Sequence, residues 1–317
     1  MQKTNHRFFQ YSLALLIAVQ LHGTTALAQN TGLADNFRLI DGSSSWQLLE
    51  KIPLQFDTYH PQGLVRVGEA FFLSSVETTS APQIYSGAEE NSAYDRTPGA
   101  GVGHLFKFDS EGRLLDHITL GEGSQYYPGG IDFDGEVIWI SVAQYRPNSH
   151  SIVYRVDPDD LSVEEVFRFD DHLGAIVHDR QGQTLHAVSW GSELYYSWPK
   201  TENSYVADEF RSARKQGSEI EYQDCQIVTP GSMLCSGIGD FSIDNTHTFT
   251  VGGIELVDLA SKKIQHRITV TLTADSGEFL VRNPSFFEYS EARRSVFYFV
   301  PEDEHSNLYK YEITSNP

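Results

Sequence analysis

Ten residues recur at equivalent points along this chain and together have the makings of a polar site. His60, Tyr127, His172, Asp224 and Asn283 each open an apolar segment, while Glu77, Gln144, Trp190, Glu302 and Asp303 each stand at the end of the apolar segment that follows. Three chemistries suit such a set. The oxygen donors Glu77, Asp224, Asn283, Glu302 and Asp303 would suit a hard cation such as Ca2+. His60 and His172 with one carboxylate would suit a transition metal. A single histidine beside a carboxylate would serve as a general base, with His60 and Glu77 as the first pair and His172 as the other candidate. Gln62, Tyr127, Gln144, Trp190 and Asn283 would supply ligand contacts. No diagnostic spacing chooses among these chemistries, because the ligands of such a ring are contributed repeat by repeat from distant parts of the chain.

The elements that would position them are repeated units of short strands. His60-Pro-Gln-Gly-Leu64 is followed by apolar strands over 71–77 and 104–108. Tyr127-Pro-Gly-Gly-Ile131 is followed by strands over 137–142 and 151–156, and His172-Leu-Gly-Ala-Ile176 by strands over 185–190 and 193–198. A more diverged fourth copy starts at Tyr222, and the last starts at Asn283. Outer fourth strands are expected over 114–118, 163–167 and 264–268. This pattern predicts an all-β propeller of five blades, with six as the rival count. The last unit lacks a fourth strand, and 46–52 has no other partner, so the N-terminal strand is expected to close the ring. Only 206–216 offers a helical pattern. In a propeller, the start of an innermost strand and the end of the next lie on one face, so the residues named above would gather at one mouth of the channel. The insertion over 78–102 would emerge on that face too, and its Tyr85, Tyr94 and Arg96 could cover the pocket.

The first 28 residues read as a secretory signal, with Lys3 and Arg7 at the start, an apolar run over 13–21 and Ala26-Leu27-Ala28 at the cleavage point. The run is too short to span a bilayer. The expected organisation is a signal over 1–28, a linker over 29–45 and one domain over 46–317, exported to a periplasm or outside the cell and working as a monomer. A net charge of −20 disfavours nucleic acid and anionic membrane as partners. A small molecule or a carbohydrate is the expected ligand. Cys225 and Cys235 flank the turn signal Thr229-Pro-Gly-Ser232, which places them on two arms of one hairpin, where an oxidising compartment favours a disulfide.

The openings His60-Pro-Gln-Gly-Leu64, Tyr127-Pro-Gly-Gly-Ile-Asp132 and His172-Leu-Gly-Ala-Ile176 resemble a family of secreted propeller-like proteins of unknown function from bacteria and fungi. That resemblance implies the fold over most of the chain and lends no activity. More remotely, the segment from Gly130-Ile-Asp132 to Trp139 resembles blades of the calcium-dependent lactonase and phosphotriesterase superfamily, which includes gluconolactonases, paraoxonases and strictosidine synthases. This second resemblance implies a calcium ion held at the channel mouth by Glu, Asn and Asp, with lactone or ester hydrolysis. The chain departs from it in having five units rather than six, and in placing His60, Tyr127 and His172 where acidic or amide ligands are expected. Two functions therefore compete: a propeller that hydrolyses an ester or lactone with help from a cation or a histidine, and a non-catalytic module that binds a carbohydrate or a protein through Tyr126, Tyr127, Tyr145 and Trp190.

Overall fold

The structure, a computed structural model, describes residues 32–86, 94–202, 204–244, 247–289 and 294–315. The signal segment over 1–28 lies outside the described residues. Five antiparallel sheets follow one another along the chain. Blade I is β2 (His60–Val67), β3 (Ala70–Ser80), β4 (Ala100–Phe108) and β5 (Leu114–Leu120). Blade II starts with two short pieces, β6 (Tyr127–Pro128) and β7 (Asp132–Phe133), and continues with β8 (Ile138–Ala143), β9 (Ser151–Val156) and β10 (Val163–Phe169). Blade III is β11 (Leu173–Asp179), β12 (Thr184–Ser189), β13 (Leu194–Pro199) and β14 (Arg211–Arg214); blade IV is β15 (Glu221–Thr229), β16 (Ser232–Asp244), β17 (His247–Asp258) and β18 (Ile264–Val270). Blade V takes β19 (Ser285–Tyr289), β20 (Ser295–Phe299) and β21 (Asn307–Thr314) from the end of the chain and β1 (Ser45–Pro53) from its start.

The sheets stack face to face around an axis, and this explains the strand patterns. A strand in the middle of a blade is covered on both faces, so β8 is apolar or small throughout and all of it is buried, whereas the outer strand β5 is largely exposed. Five apolar cores fill the five contacts between neighbouring blades. The core between blades V and I joins Val296, Tyr298 and Leu308 to Leu64, Phe71 and Phe106, which closes the ring. The hydrogen-bond ladder also closes the ring, because β1 from the start of the chain pairs with β21 from its end, from Ser45↔Thr314 to Pro53↔Asn307. The five-blade count and the closing N-terminal strand are as the repeats predict.

The axis is narrow, and the glycines of the repeated openings are there because nothing larger fits. A Cβ added at Gly63 would lie 2.5 Å from the Ile131 amide nitrogen, and one at Gly130 would lie 2.6 Å from Asp224 Oδ1. Two carboxylates tie the inner strands across this space. Asp224 Oδ2 accepts from the Leu64 amide (2.8 Å) and Oδ1 from the Ile131 amide (3.1 Å), linking blades I, II and IV. Asp132 accepts from the amides of His178 (3.3 Å) and Ile227 (3.2 Å), linking blades II, III and IV.

Two local expectations are corrected. The 206–216 segment is not helical: its polar residues supply β14, the short exposed outer strand of blade III. The stretch expected as a linker over 29–45 contains the helix α1 (Leu33–Arg38), whose Phe37 is fully buried against Phe287 and Phe297. Cys225 and Cys235 are register partners on β15 and β16 and form the expected disulfide. No described helix is long and apolar enough to cross a membrane.

Candidate functional site at the channel mouth

The face on which the inner strands begin carries a continuous chain of rings. His60 lies 6.3 Å from Tyr127, and Tyr127 lies 5.9 Å from His172, centre to centre, so the two histidines flank one tyrosine at the same end of the axis. Tyr145 stacks on Tyr127 at 4.3 Å and reaches Trp190 at 5.5 Å, while His172 meets Trp190 edge-on at 4.8 Å. The insertion after β3 crosses over this wall. Arg96 places its guanidinium 5.4 Å from the centre of the Trp190 ring, and Arg146 lies over Tyr94 at 3.5 Å, fastening the insertion to blade II. Gln62 accepts from Gln223 Nε2 (3.3 Å), bridging blades I and IV across the opening.

The histidine and carboxylate that pair at this mouth are His60 and Asp303. His60 Nδ1 lies 2.8 Å from Asp303 Oδ1, which leaves Nε2 as the nitrogen available to a ligand or a water. Asp303 is held by two further groups, Arg282 Nη2 (3.1 Å) and Asn283 Nδ2 (3.0 Å). Burial alone would raise the carboxyl, but His60, Asn283 and Arg282 together bring it down to about 2, so it stays ionised and can orient an imidazolium. The backbone that joins the pair is strained. Glu304 donates its amide to the Tyr59 carbonyl (2.5 Å) and accepts on its own carbonyl from the Thr58 amide (2.7 Å), and both Tyr59 and Glu304 hold left-handed φ values, 47° and 62°. Strain of this kind persists where surrounding structure enforces it, commonly at functional sites.

His172 is a different kind of histidine. It is buried, and its Nδ1 faces the Gln144 carbonyl at 2.7 Å, which fixes the proton on Nδ1. Burial lowers its pKa to about 4, so it is neutral at physiological pH, with Nε2 as an acceptor. Gln144 is itself fixed, receiving Arg146 Nε (2.9 Å) on its oxygen and donating to Ser124 Oγ (2.8 Å).

The structure therefore brings together His60, Gln62, Tyr127, Gln144, His172, Trp190, Asn283 and Asp303. It separates others. Glu77 turns to His104 Nε2 (3.4 Å), on the neighbouring strand, rather than to His60. Asp224 lies inside the axis below the mouth, with its oxygens on backbone amides. Glu302 is taken up by Ser306 Oγ (2.9 Å), the Asn307 amide (3.1 Å) and Tyr309 Oη (2.6 Å). Asn283 keeps a buried Oδ1 with no hydrogen-bond partner. That orphan acceptor would suit a cation, but the one carboxylate beside it already holds His60 and Arg282. Among the described residues no group of three or more His, Cys, Asp or Glu is arranged to hold a metal ion. The five oxygen donors expected for calcium do not fit it as a set. Arg282, immediately before Asn283 in sequence, is the partner of Asp303 that the repeat pattern does not mark.

A family model matches residues 16–317, nearly the whole chain. The protein belongs to the DUF6454 family, a family of unknown function. No curated protein matches this DUF6454 chain. Among solved structures it is similar to a hypothetical protein from Leishmania major, with 12% identity, 83% of this chain and 90% of that one covered, and a TM-score of 0.50. It is also similar to MPT-4, a mannose phosphorylase from Leishmania mexicana (12% identity, 88% and 92% covered, TM-score 0.49), and to a GH43 endo-arabinanase from Bacillus licheniformis (10% identity, 82% and 96% covered, TM-score 0.44). At these identities the likeness is one of fold.

Proposed function

We propose that the channel mouth binds a small polar ligand and that His60 acts there as a general base in ester or lactone hydrolysis. The observation that carries this reading is the His60–Asp303 pair, set beside a wall of rings with its second imidazole nitrogen left to the ligand. In the proposed step, Nε2 takes a proton from a water as the water adds to the ester carbonyl. Asp303 stabilises the imidazolium that forms, and the proton returns to the departing alkoxide. Arg282, bonded to Asp303, is the cation nearest the pair and would offset developing negative charge. No step requires a metal. The expected setting is a periplasm or the extracellular space, in keeping with the disulfide.

A second reading is favoured by one specific observation. Tyr145 and Trp190 are partly exposed neighbours at the mouth, a surface on which a sugar ring can stack without any chemistry. One screen separates the two. Wild type, His60→Ala and Trp190→Ala are incubated with a panel of esters, lactones and neutral sugars, following both turnover and thermal midpoint. Hydrolysis predicts turnover that His60→Ala abolishes. Sugar binding predicts stabilisation that Trp190→Ala removes and His60→Ala leaves intact. Neither turnover nor stabilisation by any compound of the panel would reject both readings.

A further inference from the structure

A second polar cluster lies at the opposite end of the blades, in the groove between blades III and IV. Lys262 sits in the β17–β18 turn with a φ of 58°, its amide donating to the Asp258 carbonyl (2.8 Å). Its Nζ lies 2.8 Å from Ser197 Oγ and 3.1 Å from His186 Nδ1, and those two atoms are 2.8 Å from each other. His186 and Ser197 are register partners on β12 and β13, so they share one face of blade III, and both are buried. The other ionisable groups packed around Nζ are Tyr195, whose ring centre is 6.0 Å away, and Asp258. The Asp258 carboxylate is already bonded to the amide and hydroxyl of Ser261 and to Gln265. Among the described residues no carboxylate reaches ion-pair distance of Lys262, which is partly open to solvent.

The fold itself does not ask for these three residues, and the internal repeat shows it. In blade I the register Val65↔Phe72↔Lys107 occupies the place of Val177↔His186↔Ser197 in blade III. The turn that packs on blade I, between β9 and β10, carries Leu161 at the same point as Lys262, with the same φ of 58° and the same amide bond to the carbonyl of the turn's first aspartate, Asp157. Phe72 and Leu161 belong to one apolar core. Where blades I and II bury a Leu on a Phe, blades III and IV hold an amine between a hydroxyl and an imidazole.

We propose that Lys262 is a nucleophilic amine that adds to small aldehydes, with Ser197 and His186 relaying its protons. Burial holds the ammonium down to about 8, against the opposing pull of Asp258, so the neutral form is well represented near pH 7.5. In the reaction the Nζ lone pair forms the bond to the carbonyl carbon, and the oxygen takes up a proton that the nitrogen gives up through Ser197 Oγ. Loss of water then leaves the imine, with the overall exchange of one C=O for one C=N and one water released.

The test uses formaldehyde with cyanoborohydride on the intact protein at pH 7, in amounts too small to saturate, with methylated lysines mapped by peptide mass spectrometry. Lys262 is expected to react at least about tenfold faster than the exposed Lys200 and Lys263, because a lowered amine pKa raises its neutral fraction about tenfold per unit and only part of that gain is lost to the weaker nucleophilicity of a less basic amine. Ser197→Ala is expected to slow Lys262 alone. Lys262→Leu, which copies Leu161, is expected to keep the thermal midpoint at or above that of wild type. Modification of Lys262 no faster than Lys200 and Lys263 would overturn the proposal, and so would loss of the fold in Lys262→Leu, which would make the cluster structural.

Discussion

Replacing Asp224 with alanine tests how the ring is held at its centre. The substitution removes the acceptor for two amides on two other blades, Leu64 N and Ile131 N, both on residues with 1% exposure or less. Neither amide can turn to water, because the axis is filled around Gly63 and Gly130. A buried donor left without a partner costs about 1–3 kcal/mol, so the pair should cost roughly 2–6 kcal/mol. The burial of a carboxyl group pushes its pKa up and works against this, so the lower half of that range is the expected result. Domains of this kind have about 5–15 kcal/mol in total, which makes the loss visible in a urea titration as a clear shift of the midpoint at unchanged slope. Asp224→Asn keeps one acceptor oxygen but points an amide NH2 at the remaining donors, so it should fall between wild type and alanine. An alanine variant within about 0.5 kcal/mol of wild type would refute the claim that this carboxylate knots the blades together.

Other consequences concern pH, the disulfide and the strained pair. Asp132 is fully buried and desolvation raises its pKa to about 7, above an unfolded value near 4. Its contribution to stability is therefore complete below about pH 4 and is withdrawn as pH rises through about 7, and Asp132→Asn should flatten that part of a stability–pH curve. Reducing Cys225–Cys235, which encloses a short loop of sequence separation 10, should cost about 2–3 kcal/mol in chemical denaturation, and an unchanged midpoint would mean the strand pairing alone holds the hairpin. Tyr59→Gly should lower the calorimetric midpoint, because loss of the ring stacked on His104 at 5.0 Å outweighs the relief of the left-handed backbone beside His60, and a midpoint at or above wild type would show that the strain is the larger effect.

Much of the fold is legible because each blade repeats the same problem. A strand beginning beside a crowded axis must carry glycine or alanine at fixed points, and this is why Gly63, Gly130 and Ala175 recur in openings that otherwise differ. The closing strand is visible because 46–52 is strand-like and nothing else in the sequence pairs with it. The turn between Cys225 and Cys235 makes the disulfide visible in the same local way. Short elements are harder to read. Helix α1 has only six residues, too few for a helical period to show, and β14 has four, mostly exposed, so its polar sequence resembles a surface helix. The end of the ring that bears the polar residues follows from strand order, but the pairing among them does not. Neighbouring residues on a strand face opposite sides, so Val76 packs beside Tyr126 and Tyr127 while Glu77 turns toward His104. Asp303 reaches His60 only through a loop whose backbone conformation no residue type announces, since Tyr59 and Glu304 are unusual occupants of left-handed φ.

The most direct test of the account is the rate of lactone hydrolysis by wild type and His60→Ala at pH 7.5, with thermal midpoints measured alongside. A positioned general base contributes about 100-fold or more, so kcat/KM should fall by at least that factor in His60→Ala while the midpoint moves little. Hydrolysis by the wild type that survives the loss of His60 would contradict the assignment of the base, and a wild type without hydrolysis would contradict the catalytic reading itself.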